Sequence, residues 1–213
     1  PTPLVSLQQA IARLGIKRIR EIALIISMES KVFRVPGHEA WVKQQFRHAL
    51  AAAAFAQELA RAKRWNVEEG FLCGLLHDVG RPILLQTLID LHAQHGCEPD
   101  GVALDSAIDK LHAHVGSELV KAWTLPARLS ETIHHHHHPE HAASARETAT
   151  LTAFADDCAH WLLGDDAPGS RTVTQDDLVA HRLLGELNCY ADDVDVLLGK
   201  ADSIKAMIAA VVS

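Results

Sequence analysis

The sequence is poor in the features that mark membrane, secreted and disulfide-stapled proteins. Its 213 residues contain no apolar run that approaches the ~20 residues of a transmembrane helix. The four cysteines are widely separated and form no Cys-x-x-Cys pair, so we expect reduced and mostly buried thiols. The start, Pro1-Thr2-Pro3-Leu4, lacks the basic region and cleavage pattern of a secretory signal. Together these absences predict a cytoplasmic protein that does not enter a membrane.

Positive charge is also scarce, because 20 lysines and arginines face 27 aspartates and glutamates, for a formal net charge of −7. An acidic chain lacks the broad positive surface that supplies most non-specific affinity for nucleic acid. Basic residues cluster only at 13–20 and 61–64, and both clusters are typical of solvated helix faces or helix ends. Binding of nucleic acid through residues 13–20 is the alternative, and the charge balance argues against it.

Strand-like alternation of apolar and polar residues is absent as well, and nearly the whole chain has helical spacing. A chain of this length can bury roughly 70% of its unfolded surface, so it needs no disulfide to be stable. We therefore predict an all-α protein that forms a single domain over residues 1–213. The first predicted helix begins with a capping box at Ser6 and ends at Gly15. The other predicted helices span residues 17–30, 39–65, 66–77, 82–96, 105–123, a short segment around Ile133, 144–163, 175–187 and 192–211.

Histidine, by contrast, is abundant, and one of its 15 occurrences lies in the string Gly74-Leu75-Leu76-His77-Asp78-Val79-Gly80-Arg81. A neutral imidazole beside a carboxylate offers two good ligands for a divalent metal ion. A carboxylate that follows an apolar run is costly to bury unless it is paired or binds a cation. His77 and Asp78 are therefore candidate metal ligands, and the two oxygens of Asp78 could bridge two ions.

Further candidate ligands are spread along the chain. His48 lies beside a run of alanines, whose small side chains let another helix approach closely, and His114 is either a ligand or a histidine bonded between helices. Helical spacing turns only one or two of the histidines 134–138 inward. Of Asp156 and Asp157, we expect one to face the core and the other to face water. The histidines that we expect at the surface are His38, His92, His95, His112, His160 and His181.

The order of these elements resembles the HD superfamily of helical metal-dependent phosphohydrolases, and more closely its HDOD branch, the HD-related output domains of bacterial signalling proteins. A His-Asp pair is weak evidence alone, but the Ala-Ile-x-x-Leu-Gly and Trp-x-Leu-Pro segments are specific to the HDOD branch. The resemblance covers nearly the whole chain and implies an HD-like helical bundle. The residues that carry it are Ala10-Ile11-Ala12-Arg13-Leu14-Gly15, Trp41, His48 with its alanines, Gly74 to Arg81, His114-Val115-Gly116, Trp123-Thr124-Leu125-Pro126, Ile133, His136-His137 and Pro139.

The resemblance also implies a set of metal ligands, which this chain keeps in full although many HDOD domains have lost several. In a working site of this type, Asp78 would bridge two divalent ions of iron, manganese or zinc, and Arg81 would help to hold the substrate. Asp78 and Arg81 are therefore the implied catalytic residues. The other implied ligands are His48, His77 and Asp156 for one ion and His114, His136 and His137 for the second.

Two departures from the family pattern argue against hydrolysis of cyclic di-GMP. The Gly-Tyr-Pro segment that follows the tandem histidines in the cyclic-dinucleotide phosphodiesterases is missing, and the only tyrosine is Tyr190. The lysine that commonly follows His-Asp-x-Gly is Arg81, which can pair with a phosphate in a different geometry. The chain also starts just before the Ala-Ile-x-x-Leu-Gly segment, so we expect that it lacks the upstream helices of the family.

The resemblance leaves two functions open. The first is an output domain of the response-regulator type, which relays the state of a receiver or sensor domain to a downstream signalling protein without catalysis. The second is a metal-dependent phosphohydrolase, acting as a phosphodiesterase or a nucleotide phosphatase. Without the upstream helices, part of an apolar face would be exposed and could form a homodimer. The residues of that face are Ile11, Leu14, Ile22 and Ile26.

Overall fold

A computed structural model describes residues 7–96, 100–169 and 171–212, with the side chains of the first helix described from residue 20 onward. This part of the chain consists of helices and connecting turns and contains no β-strand, which confirms the all-α prediction. The helices are α1 (Leu7–Lys31), α2 (Glu39–Lys63), α3 (Val67–Leu76), α4 (Gly80–His95), α5 (Gly101–Ala122), α6 (Ala127–His135), α7 (Arg146–Leu163), α8 (Gln175–Val179), α9 (Leu184–Leu187), α10 (Ala191–Leu198) and α11 (Ala201–Val211).

Helix α2 is the centre of the core, and its alanines are the reason. Alanine has the highest helix propensity and a side chain small enough for a neighbouring backbone to approach closely. The alanines of α2 that face α3 and α7 are fully buried, and these two helices make the most extensive contacts with α2. On α3, a Cβ atom added to Gly74 would lie 2.6 Å from the carbonyl oxygen of Ala52. The alanine run therefore brings His48 close to the end of α3.

A second close approach joins the start of α4 to α5. A Cβ atom added to Gly80 would lie 2.1 Å from the carbonyl oxygen of His112 and 2.8 Å from the nitrogen of Gly116. On α5, residues four positions apart share one face. That face is buried, and its members are Ile108, His112, Gly116 and Val120. The contact at Gly80 therefore fixes which histidine of α5 points at the His77-Asp78 pair.

Several helix boundaries differ from the predicted ones. The first two predicted helices form one kinked helix, α1, in which Gly15 has a left-handed φ of +78°. Helix α5 begins at Gly101 rather than at residue 105, because the side chain of Asp100 accepts a hydrogen bond from the backbone N–H of Val102. The last two predicted helices each split into two shorter ones, α8 with α9 and α10 with α11. Helix α3 is capped by Asn66, whose side chain accepts hydrogen bonds from the backbone N–H groups of Glu68 and Glu69.

The cysteine prediction is confirmed where it can be examined. Cys73, Cys158 and Cys189 are free and buried. Burial raises the pKa of the Cys73 thiol to about 12, so it is protonated and unreactive.

Among the described residues, none of the helices combines the length and apolarity needed to cross a bilayer. Ile22 and Ile26, half of the predicted dimer face, are 38% and 57% exposed. The predictions that lie outside the described residues or side chains concern Ser6, Ile11, Arg13, Leu14, Lys17, Arg18 and Cys97.

Candidate metal centre

Two adjoining groups of metal-binding side chains lie where α2, α3, α5, α6 and α7 meet. In the first group, the Nε2 atom of His48 lies 2.8 Å from the Oδ1 atom of Asp156, and the Nε2 atom of His77 lies 3.5 Å from the same oxygen. The potential ligand atoms of these three residues all lie within 4.8 Å of one another, and all three side chains are buried. Three ligand atoms this close together could hold one cation.

The second group shares its centre with Asp78, which follows His77 directly in the sequence. The Oδ1 atom of Asp78 lies 3.1 Å from Nε2 of His112 and 3.7 Å from Nε2 of His136. His137 completes the group at its exposed rim, with its Nε2 atom 2.9 Å from that of His112. Again the ligand atoms lie within 4.8 Å of one another. The adjacency of His77 and Asp78 joins the two groups into one centre.

Hydrogen bonds on the far side of three imidazole rings aim their Nε2 atoms into the centre. The Nδ1 atoms of His77, His112 and His136 lie 2.8, 3.1 and 2.7 Å from backbone carbonyl oxygens of their own helices. A carbonyl oxygen can only accept, so each Nδ1 atom must carry the proton. When such a ring is neutral, as a metal ligand must be, its Nε2 atom presents a lone pair to the centre, which is how metal-binding histidines are commonly oriented.

The atoms at the junction of the two groups lack partners. The Nε2 atoms of His77 and His136 and the Oδ1 atom of Asp78 are buried and have no hydrogen bond. Each such atom costs roughly 1–3 kcal/mol when it is left unpaired. Lone pairs that face one another without a proton between them are satisfied by a cation, and imidazole with carboxylate suits the transition metals. The residues present therefore fit one or two divalent ions.

The charges of the centre also favour a cation. Burial alone would raise the pKa of Asp78, but Arg81 and the surrounding histidines lower it well below its usual range. Burial alone would also raise the pKa of Asp156, but hydrogen bonds from His48 and His77 lower it well below its usual range. Burial lowers the pKa of His77, but the charges of Asp78 and Asp156 outweigh it and raise that pKa to about 9. The two carboxylates therefore favour a positive charge at Nε2 of His77, where a bound metal ion would supply it.

Arg81 acts on Asp78 from outside the two groups. Its Nε atom donates a hydrogen bond of 2.8 Å to the Oδ2 atom of Asp78, and its Nη1 atom donates one of 2.7 Å to Asp109. The side chain of Arg81 is only 17% exposed. One oxygen of Asp78 is therefore held by Arg81 while the other faces His112 and His136. That geometry makes Arg81 a positioning residue for Asp78, and its predicted contact with substrate stays a prediction.

His114 is the one predicted ligand that the structure does not bring to the centre. Its side chain is exposed, and its ring contacts that of His134, with centroids 5.6 Å apart. His112, which was expected at the surface, is 1% exposed and takes the place predicted for His114. Two positions along a helix correspond to a rotation of about 200°, so only one of the two histidines can face the centre.

The expectation that one of Asp156 and Asp157 faces water is also wrong, because both are buried. The Oδ2 atom of Asp157 lies 2.7 Å from the Nε2 atom of His181, and its Oδ1 atom forms an ion pair with Arg171. His160, expected at the surface, is 9% exposed, with its Nε2 atom 3.6 Å from Oδ1 of Asp156. Asp156 and His160 are four residues apart on one helix, and that spacing in the sequence indicates that their side chains are neighbours.

We expect His112→Ala to remove about one of two bound metal equivalents per chain, because it deletes a ligand of one group only. His114→Ala is the matched control, since it removes the same side chain two residues away on the exposed face of α5. Metal analysis after dialysis against metal-free buffer measures both. Equal metal content in the two variants would contradict the placement of His112.

A small cavity connects the centre to solvent. It has a volume of about 100 Å³ and reaches ligands of both groups. Its outer wall comes from the segment between α7 and α9 and contains two arginines. A larger cavity of about 590 Å³ lies elsewhere, against α2, α7 and α11, and none of the candidate ligands lines it. The lining residues of the small cavity are His136, His137, Ala153, Asp156, Asp157, Arg171, His181, Arg182 and Leu183.

Comparison with known sequences identifies the family. The sequence model of the HDOD domain matches residues 1–139, about two thirds of the chain. The chain therefore belongs to the HDOD family. Among curated proteins, none matches it.

Solved structures share its fold. An HDOD domain protein of unknown function from Geobacter sulfurreducens is 23% identical and has a TM-score of 0.69, over 99% of this chain and 75% of its own. A protein of Shewanella amazonensis, provisionally named a phosphohydrolase, is 21% identical, with a TM-score of 0.67 over 98% and 76%. One of Marinobacter aquaeolei, provisionally named a signal transduction protein, is 20% identical, with a TM-score of 0.63 over 99% and 49%. These similarities establish the fold.

Proposed function

We propose that this chain is a metal-dependent phosphohydrolase of the HDOD family. The observation that carries the proposal is the convergence of buried histidine and aspartate ligands into two adjoining groups around His77 and Asp78. The partnerless lone pairs at the junction and the cavity that opens onto both groups support it. Similar folds occur in proteins of Shewanella amazonensis that are provisionally named phosphohydrolases, one of them metal-dependent.

In this proposal, each of the two ligand groups binds one metal ion. His48, His77 and Asp156 hold one ion, and His112, His136 and His137 hold a second with Asp78. Divalent ions in such a centre supply Lewis-acid activation of water and neutralise charge on a phosphoryl group. The backbone carbonyls behind the imidazoles fix the rings, and Arg81 holds Asp78 in orientation. Iron, manganese and zinc all suit ligands of this kind, so the proposal extends to these three metals.

The proposal is tested by turnover. We expect the chain, loaded separately with manganese, iron and zinc, to hydrolyse a phosphoester such as p-nitrophenyl phosphate. Asp78→Asn should lower kcat/KM by about 10³-fold or more, because it removes the charge that holds and orients the centre. Asp105→Asn, on the exposed face of α5, is the matched control. If no metal restores hydrolysis of any phosphoester, the proposed activity is wrong.

A second candidate function is favoured by Arg81. If Asp78 bridged two ions through both of its oxygens, its Oδ2 atom would be shared with Arg81, to which it is already hydrogen-bonded. In an output domain, the metal centre would serve stability while the chain relays the state of a receiver or sensor domain to a downstream signalling protein. A similar fold occurs in the Marinobacter protein that is provisionally named for signal transduction. Full metal occupancy without turnover would favour this candidate over the phosphohydrolase.

A further inference from the structure

The outer wall of the small cavity is the part of the site that neither the metal ligands nor the family match accounts for. Arg171, His181 and Arg182 lie beyond residue 139, where the match to the HDOD domain ends. The same cavity is lined by Asp156 from one ligand group and by His136 and His137 from the other. Whatever enters the cavity therefore meets both guanidinium groups and ligands of the candidate metal centre.

Buried contacts hold this wall in place. Nδ1 of His181 accepts a hydrogen bond of 3.2 Å from the backbone N–H of Leu183, so Nε2 must carry the proton that faces Oδ2 of Asp157 at 2.7 Å. The ring of His181 also packs against that of Phe154, with centroids 5.2 Å apart. Asp157 in turn contacts the guanidinium of Arg171, which lies 3.9 Å from the Oδ2 atom of Asp156. Arg171 is thus held over the centre by a buried carboxylate.

Arg182 differs from Arg171 because little holds it. Its side chain is 63% exposed, and its nearest described anionic partner, Glu140, lies 3.9 Å away, beyond hydrogen-bond distance. A guanidinium presents a planar fork of donors that matches the oxygens of a phosphate group. Asp156 and Asp157 also line the cavity, and Asp157 pairs with Arg171, so Arg182 is the guanidinium there that lacks a close anionic partner. The ligand that such an opening attracts is an anion.

Size narrows the class of ligand. The cavity of about 100 Å³ is small, and it is open to solvent on the side where Arg182 is exposed. A phosphoryl group is small enough to enter it, whereas large ester substituents would have to stay outside. A terminal phosphate would enter, and its single organic substituent would extend past Arg182 into solvent. A phosphomonoester also carries more negative charge than a diester and would be held more strongly by two guanidinium groups.

We propose that Arg171 and Arg182 form the phosphate-binding arm of this site and select phosphomonoesters over phosphodiesters. The inference rests on the proposed phosphohydrolase function for its substrate class, but binding of phosphate can be measured without turnover. Arg171 is the fixed part of the arm, oriented by Asp157, and Arg182 is the part that closes on the ligand. A guanidinium has donors and no lone pair to offer, so neither arginine is itself a ligand of the metal centre.

The test is binding of inorganic phosphate to the metal-loaded chain by calorimetry, with p-nitrophenyl phosphate and bis-p-nitrophenyl phosphate as substrates. Arg182→Gln should weaken phosphate binding by about 10- to 100-fold, the loss expected for hydrogen bonds to a charged group, and raise KM for the monoester similarly. Metal content should stay unchanged. Arg171→Lys, which keeps the charge over Asp157 but removes the fork, should also weaken binding. Arg61→Gln, an ion-paired arginine of similar exposure on α2, is the control.

The outcomes separate this inference from the proposed function. Phosphate that binds through Arg182 in a chain without turnover would support the arm and contradict the phosphohydrolase. Unchanged phosphate affinity in Arg182→Gln, faster turnover of the diester than of the monoester, or metal loss in Arg182→Gln would each overturn the proposed arm.

Discussion

Gly80→Ala is expected to lower the free energy of unfolding by about 3 kcal/mol or more, the upper part of the range for overpacking a close contact. The added Cβ atom would lie 2.1 Å from the backbone carbonyl oxygen of His112 and 2.8 Å from the nitrogen of Gly116. Both obstacles are backbone atoms, so no rotation of a side chain can relieve the clash. Helix α5 would have to move away from the start of α4 and would carry His112 away from Asp78.

Urea unfolding of the metal-free protein measures this effect. Gly101→Ala is the matched control, because a Cβ atom there meets nothing within 4 Å and Gly101 is the first residue of α5. Alanine at a compatible position raises stability by up to about 1 kcal/mol, so the control should be unchanged or slightly stabilised. A Gly80→Ala protein as stable as the parent, with the same metal content, would refute the close packing of α4 on α5.

Removal of metal is expected to produce the second large effect, a fall in the melting temperature of about 8–16 °C. A ligand present at about a thousand times its dissociation constant stabilises the folded state by about 4 kcal/mol. For a chain of this length each kcal/mol corresponds to roughly 2–4 °C. The physical reason is that the cation satisfies the buried lone pairs of His77, Asp78 and His136, which the metal-free protein leaves unpaired.

Calorimetric scans with added metal and with chelator measure the shift. In Asp78→Ala the shift should largely disappear, because that residue joins the two ligand groups. Asp105→Ala, an exposed aspartate on α5, should keep the full shift. Identical melting temperatures with and without chelator, or a shift that survives in Asp78→Ala, would mean that the metal does not bind at this centre.

The helical class and most of the site follow from local patterns in the sequence. Three local patterns marked candidate ligands: His48 beside its alanines, the His77-Asp78 pair after an apolar run, and the tandem His136 and His137. Asp156 lies on a helix with regular apolar spacing as well. The structure brings these six residues together. Their role as ligands stays a prediction that the metal measurements test.

The choice between His112 and His114 shows where local spacing needs a second observation. Both histidines lie on α5, and the family motif points to His114-Val115-Gly116. The buried face of α5 instead consists of residues four apart, and Gly116 marks it because a Cβ atom there would lie only 3.3 Å from the nitrogen of Gly80. His112 lies four residues before Gly116. Since that contact is tertiary, the sequence alone did not reveal which face is buried.

The cavity wall was beyond sequence-based prediction for a different reason. Arg171, His181 and Arg182 lie in a segment of short helices and turns, where neither helical nor strand spacing assigns a direction to a side chain. Asp157 contacts two of these residues, which lie 14 and 24 positions further along the chain. Such contacts are fixed by how α8 and α9 pack on α7, and no local motif encodes that packing.

The measurement that tests the central claim most directly is the metal content of the purified protein, without an affinity tag, by mass spectrometry. The parent chain and the His77→Ala/Asp78→Ala double variant would be loaded and dialysed in parallel. The account predicts about two equivalents of a transition metal in the parent chain, as a two-metal site requires, and their loss in the double variant. Sub-stoichiometric metal that is the same in both proteins would contradict the claim that these residues form a metal centre.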